Sequence, residues 1–85
     1  MSFRISTHIY GSVTTIRVEG QFATRAVSDL KREFNLTGRS VRLDLTGLTT
    51  ADAHGVRELL KLSDKGVELQ GLSVYIRQLL DEAIR

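Results

Sequence analysis

Residues 43–60 read LDLTGLTTADAHGVRELL, and this segment changes from one hydrophobic periodicity to another. Leu43 and Leu45 alternate with polar residues, which is typical of a half-buried strand. Val56 and Leu59 recur at the spacing of an amphipathic helix. The segment therefore predicts a strand that leads into a helix through a short polar turn.

The same two periodicities divide the rest of the chain. Strict alternation at the N-terminus predicts a β-hairpin, and strands then alternate with helices in the order ββαβαβα. The predicted strands are residues 3–10, 14–19, 41–45 and 67–70, and the predicted helices are residues 22–34, 56–63 and 73–83.

Strand–helix–strand units require parallel pairing with right-handed crossovers. Because every strand alternates, the helices should cover mainly one face of the sheet. With 85 residues, 41% of them hydrophobic, the chain has material for one modest core. We therefore predict an α/β fold with a mixed four-stranded sheet in a single small domain, residues 1–85.

The face of the sheet that the helices leave uncovered should be polar. A solvated surface is one interpretation of this face, and a docking surface is the other. Its predicted residues are Arg4, Ser6, His8, Tyr10, Arg17, Glu19, Arg42, Asp44, Glu68 and Gln70.

Composition narrows the function classes. The chain has 12 Lys and Arg against 10 Asp and Glu, a formal charge of +2, and nothing resembling a basic arm. Cysteine is absent, which removes disulfides and thiolate sites and is compatible with a reducing compartment. No segment has the length of a signal peptide or a membrane helix. We expect a cytoplasmic protein without direct membrane insertion.

The turn between strand and helix is the candidate functional site, and it consists of Asp52, Ala53, His54 and Gly55. Loops after the carboxyl ends of parallel strands often carry recognition, because helix N-termini expose unsatisfied N–H groups. Asp52 can accept from these donors, and Gly55 allows the helix to approach the sheet. A capping Asp and a packing Gly are also a complete structural explanation, so both interpretations remain open.

The chain resembles the STAS domain, the module of anti-sigma-factor antagonists and of sulfate-transporter cytoplasmic tails. Three segments carry the resemblance, from about Thr7 to Glu82, and the order of elements agrees with it. The family pattern is Asp-Ser-Ser-Gly or Asp-Ser-Ala-Gly after an apolar strand. The segments are GSVTTIRVEGQFATRAVSDLKREF, VRLDLTGLTTADAHGVRELLKL and GVELQGLSVYIRQLLDE.

The resemblance implies a partner and a switch. In bacterial antagonists of this family, an anti-sigma kinase phosphorylates a serine in the turn, and only the unphosphorylated form binds that kinase. Asp52 and Gly55 match the pattern, but Ala53 and His54 have no hydroxyl, so binding here should lack serine phosphorylation control. Phosphorylation of the His54 imidazole is chemically conceivable but has no obvious relay partner. Thr49 and Thr50 are possible modification sites, although such threonines often satisfy local backbone groups.

We predict a non-catalytic protein-interaction module that presents the turn and the following helix to a partner such as an anti-sigma kinase-like ATPase. The contact residues expected on the exposed side of the helix are Arg57, Glu58 and Lys61. One alternative is a STAS-type structural subunit of a lipid or anion transporter assembly. A nucleic-acid-binding α/β domain is the third alternative.

STAS domains commonly continue with a further strand and helix beyond the third helix. Two possibilities therefore remain. The chain is a STAS domain with fewer elements, or another chain completes the edge of its sheet. A homodimer is the simplest form of the second possibility.

Enzymatic sites find little support in the sequence. Asp52 and His54 are two residues apart at a helix start, so their side chains diverge and cannot form a Ser-His-Asp arrangement. No phosphate-binding glycine motif is present. His8 and His54 are the only histidines, and neither has a carboxylate pair at ligand spacing. We expect no metal and no cofactor.

Overall fold

The computed structural model describes residues 3–37 and 40–84, and these contain five strands and three helices. The elements follow one another in the order ββαββαβα. The strands are β1 (Phe3–Tyr10), β2 (Val13–Phe22), β3 (Ser40–Asp44), β4 (Leu48–Ala51) and β5 (Glu68–Gln70). The helices are α1 (Thr24–Thr37), α2 (Ala53–Asp64) and α3 (Val74–Ile84).

All the strands belong to one mixed sheet. β1 and β2 form the antiparallel hairpin, with Phe3 opposite Gly20 and Tyr10 opposite Val13. β3 pairs with β2 in parallel, and β5 pairs with β3 in parallel, so the path is β1-β2-β3-β5. β4 also pairs with β2 in parallel, beyond the part of β2 that β3 occupies. The predicted α/β class and mixed sheet are confirmed.

The predicted count of four strands was wrong, because β4 is a fifth. The Asp44 carboxylate accepts from the Thr46 backbone N–H at 3.1 Å and from its hydroxyl at 2.7 Å, and Leu48 N donates to Leu45 O at 3.0 Å. This turn interrupts the strand after Asp44, and the chain then resumes pairing along β2. Gly71 permits the interruption, since its φ is +76° and an added Cβ would lie 2.2 Å from Thr46 Oγ1.

The helix boundaries differ from the predicted ones for the same reason. Helix α1 begins at Thr24, later than the predicted residue 22, because Phe22 still pairs with Ala51 of β4. Helix α2 begins at Ala53, directly after its cap. Among residues 3–37 and 40–84, no helix combines the length and the apolar character needed to cross a membrane.

The core lies between the helices and one face of the sheet, as predicted. Ile16 and Leu43 are side by side in the β2–β3 register, and both are fully buried. The helices contribute side chains at helical spacing, such as Leu59 of α2 and Ile76 of α3, at 0% and 1% exposure. The other buried apolar residues are Val18, Phe22, Ala26, Val27, Leu30, Leu45, Leu48, Val56, Leu62 and Leu80.

The opposite face of the sheet carries cross-strand ion pairs. Arg17 Nε lies 3.2 Å from Asp44 Oδ2, and Arg42 Nε lies 3.3 Å from Glu68 Oε2. Arg4 is opposite Glu19 in the hairpin register. We call this surface the open face. Its basic residues have acidic neighbours, so it presents mixed charge rather than a basic stripe.

Asp44 lies on the open face and has a lowered pKa. Hydrogen bonds from the Thr46 hydroxyl and backbone N–H hold the pKa of Asp44 below its usual value, and Arg17 lowers it further. Burial opposes these effects but does not cancel them. Asp44 is thus a structural carboxylate that ends β3 and pairs with β2.

Candidate functional site

The Asp52 side chain caps helix α2. Its Oδ1 accepts from Gly55 N at 2.8 Å, and its backbone is extended, with φ −84° and ψ −179°. Asp52 N donates to Phe22 O at 3.3 Å, and Asp52 O accepts from Val56 N at 2.9 Å. The carboxylate therefore satisfies one of the free N–H groups at the helix start.

Gly55 lies against the end of strand β2. A Cβ built on Gly55 would be 2.1 Å from the Phe22 carbonyl oxygen, so no larger residue fits without moving the backbone. Gly55 is buried, and the close contact brings the first turn of α2 onto the sheet. Phe22 was not among the candidate residues. The sequence predicted that Gly55 approaches the sheet closely, but it did not identify the strand residue that Gly55 contacts.

His54 is half-buried and faces the start of helix α1. Its Nδ1 lies 3.3 Å from Thr24 Oγ1, a distance that links the first turns of α1 and α2. Three of the four turn residues, Asp52, His54 and Gly55, thus make contacts within the chain. Ala53 is the fourth, and its side chain is exposed.

Arg57 and Lys61 lie on the exposed side of α2, as the helical pattern predicts. Within the part of the chain that the structure describes, neither side chain has an ion-pair partner. Ala53, Arg57 and Lys61 are four residues apart, so they share one side of the helix. We call these three residues the α2 docking face.

The prediction that Glu58 lies on the exposed side of α2 was wrong. Glu58 is 5% exposed, and its Oε1 lies 3.6 Å from Lys31 Nζ of helix α1. Glu58 lines a cleft with apolar and polar residues of α1, including Lys31, and with Leu62 and Lys65 at the end of α2. Because α1 packs on this side of α2, the position faces a helix rather than solvent.

The two threonines before the turn belong to strand β4. The Thr49 hydroxyl donates to Gly20 O at 2.9 Å, and its side chain is exposed. Thr50 is half-buried and is adjacent to Gln21 in the sheet register. Thr49 therefore uses its hydroxyl to hold β4 to β2.

An apolar groove of about 470 Å³ runs between α2 and α3 beside the turn. Val56 and Leu60 of α2 face Leu79 and Ala83 of α3 across it, and Asp52 and Arg57 stand at its rim. We call this the α2–α3 groove. This groove was not predicted from the sequence, although Leu79 and Ala83 recur at helical spacing within the predicted helix 73–83.

Within residues 3–37 and 40–84, no three His, Asp or Glu side chains come together as a possible metal site. The turn, the docking face and the groove together form a surface where Arg57, Lys61 and the Asp52 carboxylate lie beside apolar residues. Such a surface is suited to contact with another macromolecule.

Comparison with solved structures identifies similar folds. A STAS-domain antisigma-factor antagonist from Rhodobacter sphaeroides is 25% identical, with a TM-score of 0.58, and the match covers 79% of this chain and 82% of that one. The anti-sigma-factor antagonist SpoIIAA in its unphosphorylated form is 18% identical, with a TM-score of 0.64, over 94% of this chain and 82% of that one.

A third similar structure is a protein from Shewanella loihica PV-4 described as having a SpoIIAA-like fold. It is 17% identical, with a TM-score of 0.55, over 95% of this chain and 75% of that one. No protein-family model and no curated protein sequence matches the chain. The structural matches confirm the resemblance to STAS domains, and the fold is SpoIIAA-like.

Proposed function

We propose that this STAS-type chain is a non-catalytic protein-interaction module that contacts its partner through the α2 docking face. The observation that carries the proposal is the division of roles around the turn. Asp52, His54 and Gly55 are engaged within the chain, while Ala53 and the following cations project outward. The similarity to an antisigma-factor antagonist supports a protein as the partner.

We further propose that serine phosphorylation does not control this contact. Ala53 and His54 occupy the two central turn positions, and neither has a hydroxyl group. A phosphoryl group adds nearly two negative charges, which would disrupt a docked surface. Ala53 and His54 offer no serine hydroxyl to receive this group. The upstream Thr49 hydroxyl is already hydrogen-bonded to Gly20 O. An anti-sigma kinase-like ATPase is the partner that this proposal favours.

Capture of partners with a tagged chain tests the proposal. Wild type should retain one protein at close to equal stoichiometry from an extract of the native host, identified by mass spectrometry. Ala53→Arg should lose it, because a long charged side chain would occupy the contact surface. Ser28→Arg, on the exposed side of α1, is the matched control and should retain it.

The identity of the captured protein separates the functional alternatives. A histidine-kinase-like ATPase supports the proposal, whereas a transporter subunit would replace it with the structural role in a transport assembly. Equal capture by wild type and Ala53→Arg would contradict docking at this surface. Absence of any stoichiometric protein would contradict the interaction role itself.

Intact-mass measurement tests the claim about phosphorylation. After incubation with the captured kinase and ATP, the chain should keep its unmodified mass. A stable mass increase that maps to Thr49 or Thr50 would show that phosphorylation occurs upstream of the turn, and would contradict the proposal.

A further inference from the structure

Two cations of helix α2 and the Lys65 C-cap have no ion pair among the described residues, a property that they share with Arg4, Arg25 and Arg77. On the open face, Arg17 and Arg42 each lie beside a carboxylate, and on α1 both Lys31 and Arg32 do so. Arg57, Lys61 and Lys65 are all exposed, and the described residues supply none of them with an ion pair. We call these three residues the α2 cation row.

Spacing places Arg57 and Lys61 on the same side of helix α2, and Lys65 follows at the C-cap, where it also lines the cleft against α1. The three residues are separated by four positions each, so they extend over about 12 Å at 1.5 Å per residue. The exposed acidic residues are Asp64 of α2 and its N-cap Asp52, against the three exposed cations, and Glu58 is buried against α1. The exposed side of α2 therefore carries a net positive charge that the fold itself does not neutralise.

The cation row begins beside the α2–α3 groove. Arg57 is both the first member of the row and a lining residue of the groove. Val56, Leu60, Leu79 and Ala83 form its apolar lining, and Asp52, whose carboxylate accepts from Gly55 N, also lines it. A ligand that matches both features must offer negative charges along one line and an apolar side chain next to them.

We propose that the partner segment is an acidic amphipathic stretch of protein. Its carboxylates lie along the cation row, and one of its apolar side chains enters the α2–α3 groove. This inference rests on the proposed function and specifies the chemistry of the partner. Charge complementarity sets the orientation and the rate of association, and the groove provides the apolar contact.

A protein segment fits this surface better than a membrane or a nucleic acid. Helices that lie on membranes project large apolar residues into the lipid, but the exposed positions of α2 are small, polar or charged. Nucleic-acid sites combine many phosphate contacts or use stacking aromatic rings, and α2 contains no aromatic residue. A concave groove beside three discrete charges favours an amphipathic peptide.

A synthetic probe tests the proposal with the full chain. The probe is a fluorescein-labelled helical peptide with Glu at three successive positions four apart and Leu on the adjacent side. Fluorescence anisotropy should show saturable binding to wild type that weakens as salt rises from about 50 mM to about 500 mM. Charge inversion with Arg57→Glu and Lys61→Glu together should weaken binding at least tenfold.

Three matched measurements accompany the titration. Arg4→Glu combined with Arg32→Glu has the same net charge and should bind the peptide as wild type does. Ala83→Trp fills the groove at an exposed position, and should weaken binding without altering the circular dichroism spectrum. Vesicles with anionic lipid and a random oligonucleotide should bind more weakly than the peptide.

The outcomes separate this inference from the proposed function. Equal binding by the α2 and control charge variants, no saturable peptide binding, or preference for vesicles or oligonucleotide would each overturn it. If a captured partner depends on Ala53 but is insensitive to the inverted cations, the interaction role stands and the acidic chemistry is wrong. If no partner is captured at all, the proposed function fails first.

Discussion

At the scale of single residues, Gly55 is the position where the site depends most on backbone geometry. A methyl group at this position would be 2.1 Å from Phe22 O, an atom that cannot move without shifting strand β2. We expect Gly55→Ala to lower the free energy of unfolding by about 3 kcal/mol, the upper part of the range for overpacking. Urea denaturation measures the change.

Gly47→Ala is the control for this prediction. Its added Cβ would be 2.8 Å from Glu19 Cγ, an atom of a flexible side chain that can move aside. The loss of stability should therefore be well below that of Gly55→Ala. Equal losses for the two variants would mean that contact with the Phe22 carbonyl is not the limiting feature.

Asp44 predicts a pH dependence of stability. Its pKa in the fold is lower than the ordinary value of 3.8, because Thr46 donates two hydrogen bonds to the carboxylate. The ionised form therefore stabilises the fold above that ordinary value, and the stabilisation is lost as the pH falls through the lower pKa. Asp44→Asn should be less stable than wild type at about pH 7 and should lose less on acidification to about pH 3.

Unfolding in urea at both pH values gives the comparison. Asp64→Asn is the control, since Asp64 is exposed and accepts no side-chain hydrogen bond within the described ranges. A pH profile of Asp44→Asn that parallels wild type would show that the Thr46 hydrogen bonds do not contribute to the acid sensitivity.

At the scale of elements, the contact between α1 and α2 contains the buried Glu58. Lys31→Met removes the cation 3.6 Å from a carboxylate that is 5% exposed. We expect a loss of about 1 kcal/mol, the lower end of the cost of an unpaired buried group, because Lys31 is itself about half exposed. Unfolding free energies from urea titrations provide the measurement.

Replacing both partners should reverse the loss. Lys31→Met combined with Glu58→Met leaves no buried charge and adds apolar contact with Leu30 and Leu62, so stability should return at least to that of wild type. A double variant less stable than Lys31→Met alone would show that Glu58 stabilises the helix pair by other means.

Hydrophobic periodicity predicted the strands and helices well where buried residues recur at regular spacing. It predicted them less well where a turn or a distant helix determines which residues are buried. Leu43 and Leu59 were assigned correctly to the core, because alternation and helical spacing directly reflect burial. β4 was missed because its start depends on the Asp44–Thr46 turn. Glu58 was misplaced because the neighbour that buries it, α1, is distant in sequence, and an acidic residue is seldom buried.

At the scale of the whole molecule, the cations of the open face differ from those of helix α2 in having acidic neighbours. The cations of the open face are matched by acidic neighbours, which removes much of the attraction for phosphates. We expect no saturable binding of a random oligonucleotide up to about 100 µM protein at physiological salt. Fluorescence anisotropy measures it, and tight binding that weakens steeply with salt would restore the nucleic-acid alternative.

The shared anchor at Phe22 has a consequence for the thermodynamics of docking. Phe22 O accepts from the Asp52 N–H and lies close to Gly55, and His54 Nδ1 lies 3.3 Å from Thr24 Oγ1, so contacts within the chain hold the start of α2. Little conformational entropy remains to be lost there on association, since the ordering cost has been met during folding. We therefore expect the proposed docking surface to act as a preorganised template, so that most of the ordering on association falls to the partner.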